Sequence, residues 1–326
     1  MPSIPRSLRA RGQKTLGRAI VSALDTVPKL TRNLPHARRR REGLSIWEDV
    51  PYRAGGEAAH RLDVFRLEGA PDGQRALLYV HGGGFSSCSK ATHISLAVAF
   101  ARRGFTVFNM DYRLAPKHRY PAALDDVVDA LVFVRQHAAS YGADGSAITL
   151  AGESAGANLI VSTALLSGYD VPLEATQRLR EGAPDITAVL AGCGVFQVSD
   201  MGRFWRTDTP PSRLAHGVAR SMEAAYLGAP DQTPGVHVLA DPVVLLEQEA
   251  PARPLPPHFV FCGTGDFLVH DSQRLAAALE GHGVPTQLRT YAGEPHAFHA
   301  LQKRPAAVAC WRDHEAFIEA HVGPVR

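Results

Sequence analysis

Residues 147–156 read AITLAGESAG, and this stretch decides the fold. Its mainly apolar first half predicts a buried β-strand, and a helix-length stretch at 155–167 follows it. Between the two lies Gly-x-Ser-x-Gly, in which a sharp turn exposes Ser154 above the end of the strand. The glycines Gly152 and Gly156 let this turn fit its neighbours, and the helix amino terminus favours a developing negative charge there. An ordinary glycine-rich strand–helix turn is the alternative interpretation.

Short apolar runs alternate with helix-length stretches over most of the chain. The predicted strands are 76–80, 105–110, 147–151, 186–191, 258–262 and 286–291, and the predicted helices are 94–103, 122–137, 155–167, 272–280 and 305–320. Continuous apolar runs indicate strands covered on both faces, and strand–helix–strand alternation predicts a parallel sheet with right-handed crossovers. Residues 45–53 and 61–67 instead alternate apolar and polar residues, which predicts an antiparallel pair at the sheet edge.

The region from 196 to 257 interrupts this alternation. It contains nine prolines, several polar breaks and one helical pattern near 218–227. We therefore expect an insertion that lies over the sheet and contributes to a lid or a substrate wall rather than to the core.

The charges of the chain are unevenly distributed. The net charge is +3, yet residues 1–42 carry +9 and the remaining residues carry −6. Apolar residues recur in the basic segment at intervals of four or eight and predict an amphipathic helix; they are Ile4, Leu8, Leu16, Ile20 and Leu24. Nucleic-acid binding is the alternative for such a basic segment, but the apolar face favours docking on the protein. Arg38–Arg41 are expected to be exposed at a hinge.

Composition excludes several classes of protein. A 45% hydrophobic and 21% charged chain is neither disordered nor fibrous. The four widely separated cysteines, with no CxxC pair and no histidine at zinc spacing, argue against a disulfide framework and a structural metal site. No apolar run approaches the ~20 residues of a membrane span, and the basic amino terminus lacks the apolar core of a secretory signal. The expected location is the cytoplasm, with a mitochondrial transit peptide as the alternative.

A second glycine motif, HGGGF at His81–Phe85, follows the predicted strand 76–80. Three consecutive glycines let backbone N–H groups approach a ligand closely. The N–H groups of Gly83, Gly84 and Ala155 are therefore the candidate donors of an oxyanion hole. A phosphate-binding loop is the rival interpretation, but neither GxGxxG nor GxxxxGK[ST] occurs. His81 is expected to hold the loop through its ring rather than to transfer protons.

A nucleophilic serine requires a base and an acid that orients the base. Asp266 follows the predicted strand 258–262, and His296 follows 286–291, so both lie at strand ends in the order Ser, Asp, His. Asp271 and His299 are the competitors. Asp271 fits better as the cap of a helix that begins at Ser272.

The chain resembles the hormone-sensitive-lipase-like group of α/β-hydrolase esterases. The resemblance rests on HGGGF at 81–85, GESAGAN at 152–158, and DYRLAP at 111–116 with YPAALDD at 120–126. It implies an α/β-hydrolase fold, a mostly parallel central sheet flanked by helices and covered by a helical cap. It also implies a carboxylesterase with the catalytic residues Ser154, His296 and Asp266 and the oxyanion donors named above.

Residues 111–126 have no evident place in that reaction. They are expected to act as a scaffold, in which Arg113 pairs internally while Pro116 and Pro121 fix the loop.

The resemblance further implies a division of the chain into a basic cap segment (1–45), a first core part (46–195), a cap insertion (196–245) and a second core part (246–326). The expected activity is hydrolysis of short- to medium-chain acyl esters through an acyl-enzyme intermediate. Hydrolysis of an amide, lactone or carbamate is one alternative, and a catalytically silent small-ligand receptor is another. No cofactor, metal, nucleic acid or stable membrane insertion is expected, the partner is a small-molecule ester, and a homodimer is left open.

Overall fold

The computed structural model describes residues 41–55, 57–206, 210–228 and 238–323. Its centre is an eight-stranded sheet in the order β1-β2-β4-β3-β5-β6-β7-β8. The strands are β1 (Leu44–Pro51), β2 (Arg61–Leu67), β3 (Gln74–Val80), β4 (Phe105–Met110), β5 (Ala143–Glu153), β6 (Asp185–Gly192), β7 (His258–Gly263) and β8 (Thr286–Tyr291).

Strand direction follows the two hydropathy patterns. β1 pairs with β2 and β2 with β4 in antiparallel fashion, whereas all pairs from β4 onward are parallel. Both the antiparallel edge and the parallel body were predicted and are confirmed. In the parallel body, Val80 lies opposite Gly152 and Gly192 lies opposite Glu153. The segments that follow β3, β5 and β6 therefore leave the sheet side by side at its carboxyl-terminal edge.

Helices cover both faces of the sheet. They are α1 (Ile94–Ala101), α2 (Ala122–His137), α3 (Ala155–Gly168), α4 (Glu174–Gly182), α5 (Arg213–Leu227), α6 (Pro242–Gln248), α7 (Val269–Gly281) and α8 (Pro305–Val322). Alternate residues of β3 show the two layers, because Leu78 packs in the cluster with α2 and α3, whereas Leu77 packs in the cluster with α1 and α8. None of the described helices is long and apolar enough to cross a membrane.

Two short α-helices were not predicted, and several predicted boundaries differ by two or more residues from those observed. The short helices are α4, whose residues are mostly polar, and α6, which lies in the proline-rich region. Helix α7 begins at Val269 rather than at Ser272, so Asp271 lies inside the first turn and does not cap the helix.

The region between β6 and α6 holds the 3₁₀-helix Met201–Trp205 and α5. The helical pattern at 218–227 is part of α5, which starts earlier because the Ser212 side chain accepts a hydrogen bond from Ala215 N at 3.2 Å.

The predicted amphipathic helix with Ile4 to Leu24 and most of the basic segment lie outside the described residues. Arg41 is described and departs from the expectation that it is exposed. Its side chain is only 19% exposed and contacts Glu48 at 2.6 Å.

Candidate active site

The turn after β5 places Ser154 in an uncommon backbone conformation, with φ 56° and ψ −120°. A positive φ is unfavourable for a residue with a side chain, so neighbouring structure must hold it. Ser154 N donates to Gly192 O at 2.9 Å, which ties the turn to the end of β6. Gly156 lets the turn approach β3, since a Cβ there would lie 2.0 Å from Val80 O. Ser154 therefore stands between the last residue of β5 and the first residue of α3, as predicted.

The HGGGF loop lies against this turn. A Cβ added to Gly82 would lie 3.2 Å from Ser154 Cβ, and Gly83 has φ 115° with no room for a side chain beside Ser87 O. Within residues 57–206, the N–H groups of Gly83 and Gly84 make no hydrogen bond to a protein acceptor. Together with Ala155 N at the start of α3, they form the set of donors that the sequence predicted, and their role stays a prediction.

The ring of His81 holds the loop in the expected way. Its Nδ1 lies 2.7 Å from Gly82 O, and the ring stacks on Tyr112 at a centroid distance of 4.3 Å. Burial lowers the pKa of His81 to about 3, so this imidazole is neutral at ordinary pH.

The buried carboxylate of Glu153 joins the serine turn to the HGGGF loop, a contact that the sequence did not predict. Glu153 accepts a hydrogen bond from Gly82 N at 2.7 Å and contacts His93 Nε2 at 2.7 Å. The hydroxyl of Tyr79 donates to its second oxygen. The side chain that precedes Ser154 therefore fixes the loop that would receive the oxyanion.

Glu153 and His93 form a buried ion pair. Burial alone raises the pKa of the Glu153 carboxyl, but His93 outweighs burial and lowers that pKa from 4.5 to about 2. In the same way, burial opposes the charge of His93, yet Glu153 raises the pKa of the imidazole above 6.5.

The predicted acid and base meet at the ends of β7 and β8. Asp266 Oδ2 lies 2.6 Å from His296 Nδ1, and Asp266 Oδ1 accepts a hydrogen bond from Leu268 N at 3.0 Å. The Asp266 side chain is buried, whereas that of His296 is 44% exposed. Burial opposes the charged imidazole, but Cys193 and Asp266 raise the pKa of His296 above its ordinary value of 6.5.

The two competing residues have other partners. Asp271 contacts Arg203 and accepts hydrogen bonds from the backbone N–H groups of Phe196 and Gln197, which anchors the region after β6. His299 is buried, and burial lowers its pKa to about 4. Of the candidates weighed, the structure therefore brings together Asp266 and His296.

The Asp266–His296 pair and the serine turn lie on opposite sides of the residues that follow β6. Gly192 O accepts the Ser154 N–H, and the next residue, Cys193, offers its sulfur within 4.8 Å of the polar atoms of Asp266 and His296. This arrangement arises because β5, β6, β7 and β8 are consecutive parallel strands.

The stretch from 111 to 126 pairs internally, as expected, and its scaffold role stays a prediction. Arg113 Nη2 contacts Asp126 Oδ1 at 2.7 Å, and His60 Nε2 lies 3.1 Å from the same oxygen. Pro116 and Pro121 both follow cis peptide bonds.

Helix α5 lies directly on the HGGGF loop. Tyr226 stacks on Phe85 with a centroid distance of 3.7 Å, and the Met222 side chain would lie 3.3 Å from a Cβ added to Gly84. Tyr120 N donates to Tyr226 O at 3.0 Å and fixes the end of the helix.

Asn158 secures both ends of the segment that carries α5. Its Nδ2 donates to Val195 O at 2.7 Å and to Ala240 O at 3.0 Å. The motif GESAGAN contained this residue, but nothing in the sequence alone indicated that it joins two loops 45 residues apart.

A surface cleft of about 440 Å³ lies away from these residues, at the amino-terminal end of β6. Its lining includes Leu179, Arg180, Arg253 and Leu255. It contains no pair of groups placed for acyl transfer among the residues described.

A family model described as the alpha/beta hydrolase fold matches residues 77–300. The chain belongs to this family. The family model and the acetyl esterase relatives together place this α/β-hydrolase in the hormone-sensitive-lipase-like group, as the resemblance implied. An acetyl esterase of Salmonella paratyphi B is 31% identical to the hydrolase over 235 residues, which cover 70% of this chain and 66% of that protein. The chain thus spans just under two thirds of that relative's length.

Solved structures share the hydrolase fold. An inhibited esterase B from Lactobacillus rhamnosis has a TM-score of 0.75 at 17% identity, with 96% of this chain and 97% of that chain covered. The esterase LipW from Mycobacterium marinum has a TM-score of 0.67 at 25% identity, with 89% of each chain covered.

Proposed function

We propose that this α/β-hydrolase is a serine carboxylesterase that hydrolyses short- to medium-chain acyl esters through an acyl-enzyme intermediate. The observation that carries the proposal is the placement of Ser154, on a strained turn beside the HGGGF amides, at the same sheet edge as the hydrogen-bonded Asp266–His296 pair. The acetyl esterase named above supports the substrate class.

The proposed reaction has two acyl-transfer steps. His296 takes the Ser154 proton at Nε2 while Oγ attacks the ester carbonyl, because its Nδ1 is already engaged with Asp266. The Gly83, Gly84 and Ala155 amides stabilise the oxyanion. His296 then protonates the leaving alcohol, and water repeats the attack on the acyl-enzyme to release the acid.

The restriction to short and medium acyl groups follows from α5 in this proposal. Met222 occupies the space above Gly84, and the stacked Phe85 and Tyr226 rings are both fully buried. Through these contacts, α5 covers one side of the HGGGF loop. Residues 196–245 are therefore proposed to form the cap, together with residues 1–45.

The test is a series of p-nitrophenyl esters from acetyl upward, hydrolysed by the full chain and by Ser154→Ala. Turnover should be highest for the short and medium esters and should be lost in the variant without loss of folding. A fluorophosphonate should label wild type but not Ser154→Ala. Retained turnover in the variant excludes Ser154 as the nucleophile, and tight ligand binding without labelling favours the receptor. Matched amide, lactone and carbamate substrates separate the remaining alternatives.

A further inference from the structure

Cys193 is a buried thiol that the proposed esterase reaction does not use. It follows β6 with a positive φ of 37°, and its N–H donates to Phe261 O at 2.7 Å. The backbone on both sides is thus fixed, by this bond and by the bond from Ser154 to Gly192 O. The thiol consequently has a defined position beside the predicted acid and base.

The sulfur of Cys193, a carboxylate oxygen of Asp266 and a ring nitrogen of His296 all lie within 4.8 Å of one another. Sulfur, nitrogen and carboxylate oxygen are the ligands of tetrahedral zinc, with bonds of about 2.3 Å to sulfur and 2.0–2.2 Å to nitrogen and oxygen. Such bonds place the ligand atoms roughly 3.3–3.6 Å apart, so adjustments of about 1 Å at each ligand would seat the ion.

We propose that Cys193, Asp266 and His296 form a binding site for a thiophilic divalent cation of the Zn²⁺ or Cd²⁺ type, and that occupation of this site switches off ester hydrolysis. The inhibitory consequence rests on the proposed function. The binding itself does not, because it depends only on the three ligands.

Charge and coordination both fit such an ion. A thiolate and a carboxylate neutralise the two positive charges, His296 adds a neutral nitrogen, and water completes a four-coordinate site. Since the His296 side chain is 44% exposed, an ion can reach the otherwise buried Cys193 and Asp266 from that side. The sulfur ligand favours Zn²⁺ and Cd²⁺ over Mg²⁺ and Ca²⁺, which prefer oxygen.

The inhibition follows from proton positions on His296. In the neutral base the proton lies on Nδ1, facing Asp266, and Nε2 is free to accept the serine proton. When the ion replaces that proton at Nδ1, neutral imidazole must carry its proton at Nε2, where it can donate but cannot accept. Cys193 releases its S–H proton to solvent as the thiolate binds, so binding releases one proton from the neutral pair.

Binding is tested separately from activity by using full-length Ser154→Ala, which is expected to be inactive. Titration with Cd²⁺ should produce the ultraviolet charge-transfer absorption of a cadmium–thiolate bond and saturate at one equivalent. The near-isosteric change Cys193→Ser in this background should weaken binding at least ~10-fold, since loss even of an outer-shell partner costs that much. Cys310→Ala is the control, because Cys310 is a buried thiol of α8 that does not belong to the group of Cys193, Asp266 and His296, and its loss should leave the band intact.

Inhibition is tested on the active chain. Zn²⁺ should abolish ester hydrolysis, a chelator should restore it, and Mg²⁺ should have no effect. Each variant is compared with its own metal-free rate, and Cys193→Ser should need at least ~10-fold more Zn²⁺ for the same inhibition.

Different results contradict the proposed metal site and the proposed inhibition. The site is refuted if no cadmium–thiolate band is seen, or if the band survives Cys193→Ser. Cys193 is then only a small buried core residue. Equal Zn²⁺ inhibition of wild type and Cys193→Ser refutes the switch. If the wild type hydrolyses no ester at all, the proposed function fails, while the cadmium titration still decides whether the site exists.

Discussion

At the residue scale, the contact between Asp266 and His296 has the largest expected effect on the proposed reaction. Asp266→Asn keeps the size of the side chain but removes the carboxylate that holds the Nδ1 proton, so the wrong imidazole tautomer faces Ser154. We expect kcat to fall by ~10³–10⁴ with little change in KM, by analogy with serine hydrolases in general.

Steady-state kinetics on a short ester measure this effect. The control is Asp72→Asn, because the Asp72 side chain is 88% exposed and contacts Arg66 at 2.9 Å rather than His296. A kcat for Asp266→Asn within tenfold of wild type would remove Asp266 from the mechanism.

The buried pair of Glu153 and His93 gives a pH-dependent stability with a definite sign. The folded pKa of Glu153 is depressed, so its contribution is present above the ordinary value of 4.5 and is lost as the pH falls towards about 2. The folded pKa of His93 is raised, so its contribution is complete below 6.5 and is lost as the pH rises through the folded value. Other titratable groups also act on this pair; they include Tyr79, His81, His299, Asp111 and Tyr112.

The pair should therefore stabilise the fold most between pH 4.5 and 6.5. His93→Gln should lower the free energy of unfolding by about 3 kcal/mol in that window, and by less at higher pH, because it leaves a buried carboxylate without its cation. Urea unfolding at several pH values measures the difference. His118→Gln is the matched control, since His118 lies 3.7 Å from the half-exposed Glu57, and it should change stability by less than about 1 kcal/mol. A pH-independent loss in His93→Gln would contradict the ion pair.

The sequence was sufficient to predict the position of a side chain where that position depends only on the strand that the residue follows. Ser154 and Asp266 each follow an apolar run and His296 follows the more polar strand 286–291, so their common edge could be inferred before their contacts were known. Glu153 and Cys193 could not be interpreted in this way, because their partners depend on which strands are neighbours. Only the adjacency of β5, β6 and β7 brings Cys193 to Asp266, and only the register of β3 with β5 brings Glu153 to Gly82.

At the scale of elements, α5 is expected to set the acyl-chain preference through Met222. Met222→Ala removes the side chain above Gly84 and enlarges the space beside the predicted oxyanion donors. We expect kcat/KM for longer acyl esters to rise ~10-fold relative to the acetyl ester, the range that one or two methylenes in an apolar pocket provide.

The p-nitrophenyl ester series measures that ratio. Val218→Ala is the control on the same helix, because Val218 is 59% exposed and its truncation should leave the ratio unchanged. An identical chain-length profile in Met222→Ala and wild type would place the acyl group elsewhere.

Asn158 of α3 holds both ends of the segment that carries α5. Asn158→Ala leaves the buried carbonyls of Val195 and Ala240 without a donor, at a cost of about 1–3 kcal/mol each. We expect lower stability to urea and faster proteolysis within 196–241. Thr163→Ala is the matched control, because the Thr163 hydroxyl donates to Leu159 O at 2.8 Å within the same helix, α3. It should lose stability without added cleavage in that region, and equal cleavage in the two variants would contradict the anchor.

Element boundaries were predictable where the apolar pattern alone determines them, as in α2, whose observed bounds equal the predicted 122–137. They were not predictable where a polar side chain has a distant partner. Asp271 fits a helix cap by residue type, yet Arg203 and Phe196 N bind its carboxylate, and α7 begins before it.

Across the whole molecule, the charge is unevenly divided between the basic segment 1–42 and the remaining residues. Residues 1–42 carry +9 and the rest of the chain −6, so we expect the basic segment to be attracted to the rest of the chain. The sequence predicts an amphipathic helix whose apolar residues Ile4 to Leu24 would dock on the protein, and the proposed role is the second part of the cap. Deletion of residues 1–40 should therefore change the ratio of kcat/KM between long and short acyl esters at least ~10-fold, while fluorophosphonate still labels Ser154.

The variant Arg38→Gln, Arg39→Gln, Arg40→Gln is the control for charge alone. It removes three positive charges and keeps every apolar residue, so a cap held by its apolar face should preserve the wild-type ratio at physiological salt, where exposed charges are largely screened beyond about 8 Å. If the triple variant reproduces the deletion, charge rather than the apolar face holds the segment. If the deletion leaves the ratio unchanged, the segment is not part of the cap, and α5 with Met222 alone determines which acyl groups reach Ser154.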